Sequence, residues 1–292
     1  MKHLRIAVIG AAAALILGAC GNAGEDDKDP VKNKVDENAA SQFKDGTAMK
    51  AIAESGKVKI GVKFDQPGIG FKKAGSDVPE GFDVEIGKLL AAKLGIKADD
   101  VQWVEAVSAN REPFLQKGTV DFIIASYSIT DERRAIVGQA GPYYVTGQQI
   151  LTKKGGSIKS VADIKGKEVC SVTGSTSLDQ VKAKGAKPRG FATYSECRDQ
   201  VLDGSVDAMT TDGAILLGYA AANPDELEVI GEPFSEERYG VGYSKDKPEL
   251  CQFITDTIQK SETDGDWAKA FEATLGKSGV ETPEPPKMDA CA

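Results

Sequence analysis

Apolar residues along the chain follow two periods, one typical of strands and one typical of helices. The helical period is clear in "FDVEIGKLLAAKLG" (82–95), whose apolar positions are near-helically spaced and which ends at a glycine. Strands are predicted on either side of it, at "KVKIGVKF" (57–64), "DVQWVEAV" (100–107) and "VDFIIAS" (120–126). The last is a continuous apolar run, as expected for a strand buried on both faces. Strands that alternate with helices predict a parallel α/β sheet.

The second part of the chain repeats this organisation. Strands are predicted at "QQILTKKG" (148–155), "KEVCSV" (167–172) and "VDAMTTD" (206–212), with helices between and after them. The stretch "LQKGTVDFIIASYS" (115–128) also shares its pattern with "VLDGSVDAMTTDG" (201–213): a helix end, a glycine, Val-Asp, an apolar strand and polar residues at the strand's end. Ligands of open α/β sheets bind outside the carboxyl ends of the strands. The repetition therefore predicts an α/β protein of two lobes facing a shared cleft.

The N-terminus has the features of an export signal. A basic head, "MKHLR", precedes an apolar core of about twelve residues, which is too short to span a membrane comfortably, and "LGAC" follows. "LGAC" resembles a bacterial lipobox, in which the cysteine, here Cys20, is lipid-modified; an ordinary secretory signal with a chance cysteine is the alternative. Residues 1–19 are thus predicted to be a signal peptide and the polar residues 20–42 a flexible tether. The protein is expected to be lipid-anchored on the extracellular face of the cell membrane.

Composition excludes several classes of function. The 292 residues are enough for two ordinary domains, and the net charge of −8 argues against nucleic-acid binding, which needs a basic surface. The only histidine is His3, inside the predicted signal. Without a histidine the mature chain has no Ser-His-Asp triad and no histidine metal ligand. No metal and no cofactor are predicted.

Four cysteines remain after Cys20, and an even number in an exported protein favours disulfides. Three pairings are possible. The preferred one joins Cys170, at the end of an apolar strand, to Cys197, near a helix start. Cys251 would then pair with Cys291 and tie the Pro-rich tail (281–292) to the body.

The stretch "SYSITDERRA" (126–135) places two arginines directly after the buried strand. Arg133 could pair with Asp131 or Glu132 on a surface helix, or it could bind an anion brought from outside. Its neighbour Arg134 is expected to face solvent. A guanidinium can hold a carboxylate through two parallel hydrogen bonds, so a carboxylate is the natural external partner.

Three motifs together resemble one family: "IGVKFDQPGIGF" (60–71), "SANREPFLQKG" (108–118) and "SITDERR" (128–134). They resemble the extracellular solute-binding proteins of family 3, and within it the glutamate/aspartate-binding lipoproteins of Gram-positive actinobacteria. The resemblance runs from about residue 45 to about 275. It implies the type II periplasmic-binding-protein fold, with 43–147 and 245–280 forming lobe 1, 148–244 forming lobe 2, and hinges near 146–152 and 239–245.

The resemblance also implies where a ligand would be bound by the first lobe. Arg133 would hold the α-carboxylate with help from Ser126 and Ser128, and Arg111 with Ser108 would approach a side-chain carboxylate. Lys63 would add a further cation or be an exposed strand lysine.

The second lobe would supply the remaining contacts. Asp212 matches the aspartate that accepts the ligand ammonium; capping of the next helix is its structural alternative. The helix-opening loop "SVTGSTS" (171–177) would act as an anion seat, with Thr173, Gly174, Ser175 and Thr176 as candidates. Tyr194 and Asp65 match ligand-contacting positions of relatives, although an acid beside a dicarboxylate would be unfavourable.

The function implied is capture without catalysis. L-glutamate or L-aspartate would be bound between the lobes by a monomer and delivered to the permease subunits of an ABC importer. Three alternatives are a glutamine- or asparagine-binding protein, a sensory amino-acid-binding lipoprotein, and a dehydratase-like enzyme on the same fold. The missing histidine argues against the enzyme.

Overall fold

The computed structural model describes Val31 and residues 33–291. The predicted signal peptide, Cys20 and the first part of the predicted tether lie outside the described residues. The helices are α1 (Ala39–Gln42), α2 (Ala48–Ser55), α3 (Phe82–Lys93), α4 (Arg111–Gln116), α5 (Asp131–Ile136), α6 (Thr176–Ala183), α7 (Tyr194–Asp203), α8 (Gly213–Ala222), α9 (Glu249–Asp264) and α10 (Asp266–Ala273). The strands are β1 (Val58–Val62), β2 (Asp65–Gln66), β3 (Gly70–Phe71), β4 (Val101–Glu105), β5 (Phe122–Ile123), β6 (Gly138–Thr146), β7 (Gln148–Lys153), β8 (Glu168–Val172), β9 (Lys187–Phe191), β10 (Ala208–Asp212), β11 (Leu227–Ile230) and β12 (Glu237–Tyr243).

Two five-stranded sheets organise the chain, in agreement with the two predicted lobes, but each is mixed where a parallel sheet was expected. The first has the strand order β4-β1-β5-β12-β6 and the second β11-β7-β10-β8-β9. β1 lies parallel to β4 and β5, and β8 lies parallel to β9 and β10, whereas β12 and β7 run antiparallel to their neighbours. We call the first sheet and the elements packed on it the first half, and the second sheet with its elements the second half.

The second crossing between the halves differs from the expectation. The first crossing is a single residue, Gly147, between β6 and β7. The second runs through residues 231–236, because β12 pairs with β6 in the first sheet. The expected lobe 2 of 148–244 and hinge at 239–245 would have placed β12 in the second half. An apolar strand has the same pattern in either sheet, so periodicity could not decide between them.

The core of the first half fixes the start of α3. Phe82 is fully buried, and its ring contacts those of Tyr143, Trp267 and Phe271, with centroids 5.3–6.0 Å apart. The contacts with Trp267 and Phe271 are edge-to-face, and pairs of this kind add about 1 kcal/mol each beyond the apolar area that they bury. Asp83, the next residue, is thereby held inside the protein at the N-terminus of the helix.

Both ends of the described chain pack against the first half. Residues 33–42 were expected to be part of a flexible tether, but Ala39 is buried and the Asp36 amide donates to Ala92 O on α3. The C-terminal residues 281–291 form no helix or strand and are tied back by the Cys251–Cys291 disulfide. Cys170 and Cys197 form the second disulfide, so both predicted pairs are confirmed.

In the described part of the chain, no helix combines the length and apolarity needed to cross a bilayer.

Candidate functional site

Three predicted cations are buried where the first half faces the second. Lys63 follows β1, Arg111 begins α4, and Arg133 lies on the short helix α5. They are 3%, 2% and 8% exposed, so the alternative of an exposed strand lysine does not hold for Lys63. Burial of like charges is unfavourable unless each has partners. The contacts of these three groups therefore define what the site can accept.

Arg111 is held by backbone carbonyl groups from both halves. Its Nε donates to Ser108 O (3.2 Å) and its Nη1 to Ala125 O (3.1 Å) and Ser126 O (3.3 Å). Its Nη2 donates to Gly174 O across the interface between the halves (3.1 Å). These acceptors are dipoles and leave the positive charge uncompensated.

Arg133 has a similar arrangement with one ion pair. Its Nη1 donates to Ser128 O (2.7 Å) and its Nη2 to the same Gly174 O (3.1 Å). Its Nε lies 3.3 Å from Glu112 Oε1. The alternative prediction, that Arg133 pairs with Asp131 or Glu132 on a surface helix, is wrong because α5 directs the Arg133 side chain inward. Thr130 begins α5 by accepting the Arg133 amide on its hydroxyl (3.2 Å), which sets that direction.

An aromatic ring supports both guanidinium groups. Tyr127 is fully buried, and the Cζ atoms of Arg111 and Arg133 lie 4.5 Å and 4.9 Å from its ring centroid. Its hydroxyl donates to Glu112 Oε1 (2.9 Å). Cations held against a ring face are stabilised by the ring quadrupole and restrained in position. The guanidinium groups of Arg111 and Arg133 are thus held side by side before a ligand binds.

The cations perturb one another. Burial, with the charge of Arg111, lowers the pKa of Lys63 to about 7. Burial, with the charge of Arg133, lowers the pKa of Arg111 to about 10. The Lys63 ammonium donates to Ser108 Oγ (2.8 Å), a neutral partner. An anion bound among the three groups would relieve this repulsion.

Ser126 is the one non-glycine residue with a positive φ (43°) among the described residues. Its amide donates to Asp83 Oδ2 (2.7 Å), and Asp83 Oδ1 accepts from the Tyr143 hydroxyl (2.6 Å). Burial raises the pKa of Asp83 to about 6 in spite of these hydrogen bonds. Left-handed backbone at such a residue is strained and persists only where the surroundings impose it. Asp83 therefore holds the turn that aims the Ser126 carbonyl at Arg111.

The second half contributes one buried carboxylate at the end of β10. Asp212 is 4% exposed, and its Oδ2 accepts a hydrogen bond from the Tyr239 hydroxyl. Within the described residues, its Oδ1 has no hydrogen-bond partner, and its side chain does not cap α8, so the capping alternative is wrong. Burial, followed by the charge of Glu237, raises the pKa of Asp212 to about 7. A cationic donor at Oδ1 would satisfy this group.

The loop before α6 was expected to bind an anion through its amides and hydroxyls, but it presents a carbonyl oxygen to the site. Gly174 directs its carbonyl oxygen to both arginines. The Ser175 hydroxyl accepts from the Leu178 amide (3.2 Å) and so caps α6, while Thr176 Oγ1 donates to Glu237 Oε2 (3.0 Å). Thr173 is exposed. Of the four candidates, Gly174 alone contacts the arginines.

Asp65 and Tyr194 connect the two halves. The Asp65 carboxylate accepts the amides of Tyr194 (2.7 Å) and Ser195 (3.3 Å) at the N-terminus of α7. Its backbone oxygen also accepts the Tyr219 hydroxyl of α8. Tyr194 is buried, and burial, with the charge of Asp212, raises the pKa of its phenol. The structure gives Asp65 a role in holding the halves together.

Several residues of the site were not predicted from the sequence. They are Asp83, Glu112, Tyr127, Gln148, Glu237 and Tyr239. The sequence contains little that would indicate them. Glu112 and Tyr127 are next to predicted site residues, whereas Asp83 looks like an ordinary polar position of an amphipathic helix. Glu237 accepts hydrogen bonds from Gln148 Nε2 and Thr176 Oγ1, which come from other parts of the chain. These contacts depend on where the chain crosses between the halves for the second time, and the sequence pattern predicted that position wrongly.

Two α/β halves joined by two crossings, with buried cations on one side and a buried carboxylate on the other, define the type II periplasmic-binding-protein class. The model of the bacterial extracellular solute-binding proteins, family 3, matches residues 58–277. The chain belongs to this family.

Relatives and solved structures agree with this assignment. The glutamate-binding protein GluB of Corynebacterium efficiens is 36% identical over 255 residues, covering 82% of this chain and 85% of the relative. The ABC transporter glutamine-binding protein GlnH of Bacillus subtilis is 33% identical, covering 96% of this chain and 99% of the relative. An ancestral arginine-binding protein, solved with bound glutamine, is 37% identical with a TM-score of 0.70 and covers 76% of this chain and 98% of that one.

Proposed function

We propose that this protein is the substrate-binding lipoprotein of an ABC importer and captures L-glutamate between its two halves. The observation that carries the proposal is the excess of buried positive charge. Three cations lie together, and among the described residues a single ion pair, between Glu112 and Arg133, partly compensates them. A small dicarboxylate supplies two negative charges to this cluster and an ammonium to Asp212. The ligand thereby replaces its own hydration shell with protein groups.

Each group of the ligand has a proposed partner. The α-carboxylate would be held by Arg133, the side-chain carboxylate by Arg111 and Lys63, and the ammonium by Asp212 Oδ1. Gly174 O, which contacts both arginines, would close over the ligand from the second half. Ligand that contacts both halves shifts the balance towards the closed form. Docking of the closed form on the permease would follow, with Cys20 as the proposed lipid anchor.

Aspartate is the second dicarboxylate that the same groups would accept. Its side chain is shorter by one methylene, so we expect it to bind more weakly than glutamate. Glutamine is a further candidate, favoured by the similarity to GlnH over 96% of the chain. Against it stands the charge of the site, because a neutral amide would leave a buried cation unpaired.

Calorimetric titration of the mature protein with glutamate, aspartate, glutamine and asparagine tests the proposal. We expect glutamate to bind most tightly and Arg133→Ala to abolish binding of all four. Tightest binding of glutamine would reject the dicarboxylate assignment. Binding of none of the four would reject the function.

A further inference from the structure

Behind the binding site, one carboxylate of the C-terminal tail joins two arginines. Asp289 Oδ2 lies 2.6 Å from Arg134 Nη2, and its Oδ1 accepts from Arg238 Nη2. Its amide donates to Gly141 O on β6 (2.7 Å). Burial raises the pKa of Asp289, but hydrogen bonds from Arg134 and Arg238 outweigh it and hold the pKa below its ordinary value. Arg134, expected to face solvent, is therefore an ion-pair partner.

The two arginines belong to the elements that carry the ligand-binding groups. Arg134 follows Arg133 on α5, a helix of only six residues. Arg238 lies on β12, and its carbonyl accepts the Ile129 amide (2.7 Å) just before that helix. The next residue, Tyr239, donates to Asp212. Asp289 thus restrains α5, which carries the predicted α-carboxylate site, and β12, which carries the hydrogen-bond partner of the predicted ammonium site.

The tail is itself fixed close to this contact. Cys291, two residues after Asp289, is bonded to Cys251 on α9, and the side chain of Met288 is buried. Residues 281–291 form no helix or strand, so few backbone hydrogen bonds hold them. The disulfide and these side chains therefore set where the Asp289 carboxylate stands.

We infer that Asp289 is a positioning residue for ligand binding and that the Cys251–Cys291 disulfide keeps it in place. This inference rests on the proposed function. A helix of six residues is too short to be stable by itself, so its orientation depends on its contacts. Two charge-assisted hydrogen bonds, donated by Arg134 and Arg238 to one carboxylate, fix α5 relative to β12. The tail is then part of the binding apparatus and lowers the cost of ordering Arg133 when ligand enters.

The test compares Asp289→Asn with a matched control, Asp264→Asn. Asp264 forms an exposed ion pair with Lys260 on α9 and contacts neither arginine. We expect Asp289→Asn to weaken binding about tenfold, the middle of the range for residues that act through a neighbour, and to do so equally for each amino acid that the wild type binds. Asp264→Asn should bind like the wild type.

A double-mutant cycle separates positioning from general destabilisation. Arg134→Ala removes one of the two contacts that Asp289→Asn removes, so it should weaken binding no more than Asp289→Asn does. The double variant should bind no worse than Asp289→Asn alone, because the contact between Asp289 and Arg134 is lost in both. Asp289→Glu, which keeps the charge, should recover part of the affinity. Strictly additive losses, or unchanged affinity with a lower unfolding temperature, would show that the tail only stabilises the fold.

A second experiment tests, in the absence of ligand, whether the tail restrains α5. Cys251→Ser/Cys291→Ser should speed amide hydrogen exchange in residues 131–137 of the ligand-free protein and weaken binding to the same degree as Asp289→Asn. Unchanged exchange there would overturn the inference. This readout still decides the matter if the wild type binds none of the amino acids, which would reject the proposed function alone.

Discussion

At the level of single residues, charge is the reason why we propose a dicarboxylate ligand. Lys63, Arg111 and Arg133 are buried beside one another with few acidic partners, and Asp212 is buried opposite them with one carboxylate oxygen unpaired among the described residues. Each group is costly alone and is stabilised by a ligand of the opposite charge at that point. A zwitterion with a second carboxylate matches this distribution, whereas a neutral side chain leaves part of it uncompensated.

Substitution of Arg111 should discriminate between ligands. Arg111→Ala is expected to weaken glutamate binding by about 3 kcal/mol, roughly a hundredfold, because a buried carboxylate loses its partner. Glutamine, which has no such charge, should lose far less. Titration of the variant with both ligands checks this, and equal losses would mean that the side-chain pocket lies elsewhere.

Affinity for glutamate should pass through a maximum near pH 7. The Asp212 pKa of about 7 would fall when an ammonium binds, so binding releases a proton and weakens as the pH drops below 7. The Lys63 pKa of about 7 would rise when a carboxylate binds, so binding takes up a proton and weakens as the pH rises above 7. Titrations across this range in two buffers test both limbs. Lys63→Met should flatten the alkaline limb alone, and a flat profile for the wild type would contradict the assignment of both groups.

The sequence predicted the charged residues of the site better than their supports. Arginines after a buried strand and an aspartate at the end of another are visible as local patterns. Asp83 and Glu237 act through contacts with residues distant in the sequence, Ser126 in one case and Gln148 with Thr176 in the other. No local pattern carries that information.

At the scale of elements, the ends of strands and the loops after them bring the site together. Arg133 lies on α5, the next element after β5 in the chain, and the loop after β8 brings Gly174 to the opposite side. An ideal Cβ at Gly174 would lie 3.0 Å from the N and Cα atoms of Ala109, and its φ is +83°. Both the conformation and the close approach require glycine here.

Gly174→Ala should therefore weaken binding, and Gly155→Ala is the matched control. Gly155 has a φ of +73° and no atom within 4 Å of its Cβ position, so it shares the backbone strain without the overlap. Both variants should lose about 1 kcal/mol of unfolding free energy. In titration, only Gly174→Ala should also lose affinity, by about tenfold if the overlap costs about 1.4 kcal/mol. Similar affinities for the two variants would show that this contact does not control ligand binding.

Periodicity predicted most of the helices and strands in their order, but it missed β6 and did not assign β12 to its sheet. The αβ units of each half are local in sequence, so alternation reveals them. β12 joins the first sheet through pairing with β6, almost a hundred residues earlier in the chain. Such a return strand is fixed by contacts across the sheet and not by its own pattern.

For the whole molecule, the essential property is the fit between the two halves. Asp65 joins the first half to α7 and α8, and an ideal Cβ at Gly218 on α8 would lie 2.3 Å from Pro67 O of the first half. The halves are therefore in direct backbone contact beside the site. We expect this contact to form on closure and to open when ligand leaves.

Gly218→Ala should disfavour closure while strengthening helix α8. Alanine has the higher helix propensity, by about 1 kcal/mol, so the fold itself should not suffer. We expect weaker glutamate binding and a larger radius of gyration in X-ray scattering at saturating glutamate. Ala221→Gly, an exposed position of the same helix, weakens the helix without touching the first half and should leave both quantities unchanged. Equal behaviour of the two variants would argue against contact-controlled closure.

A crystal structure of the protein grown with saturating glutamate would show directly whether the two halves bind this ligand. We expect one glutamate between the halves, with its α-carboxylate within about 3 Å of the Arg133 guanidinium, its side-chain carboxylate at Arg111 and its ammonium at Asp212 Oδ1. A glutamate bound with its carboxylates away from both arginines, or an interface between the halves without glutamate, would contradict it.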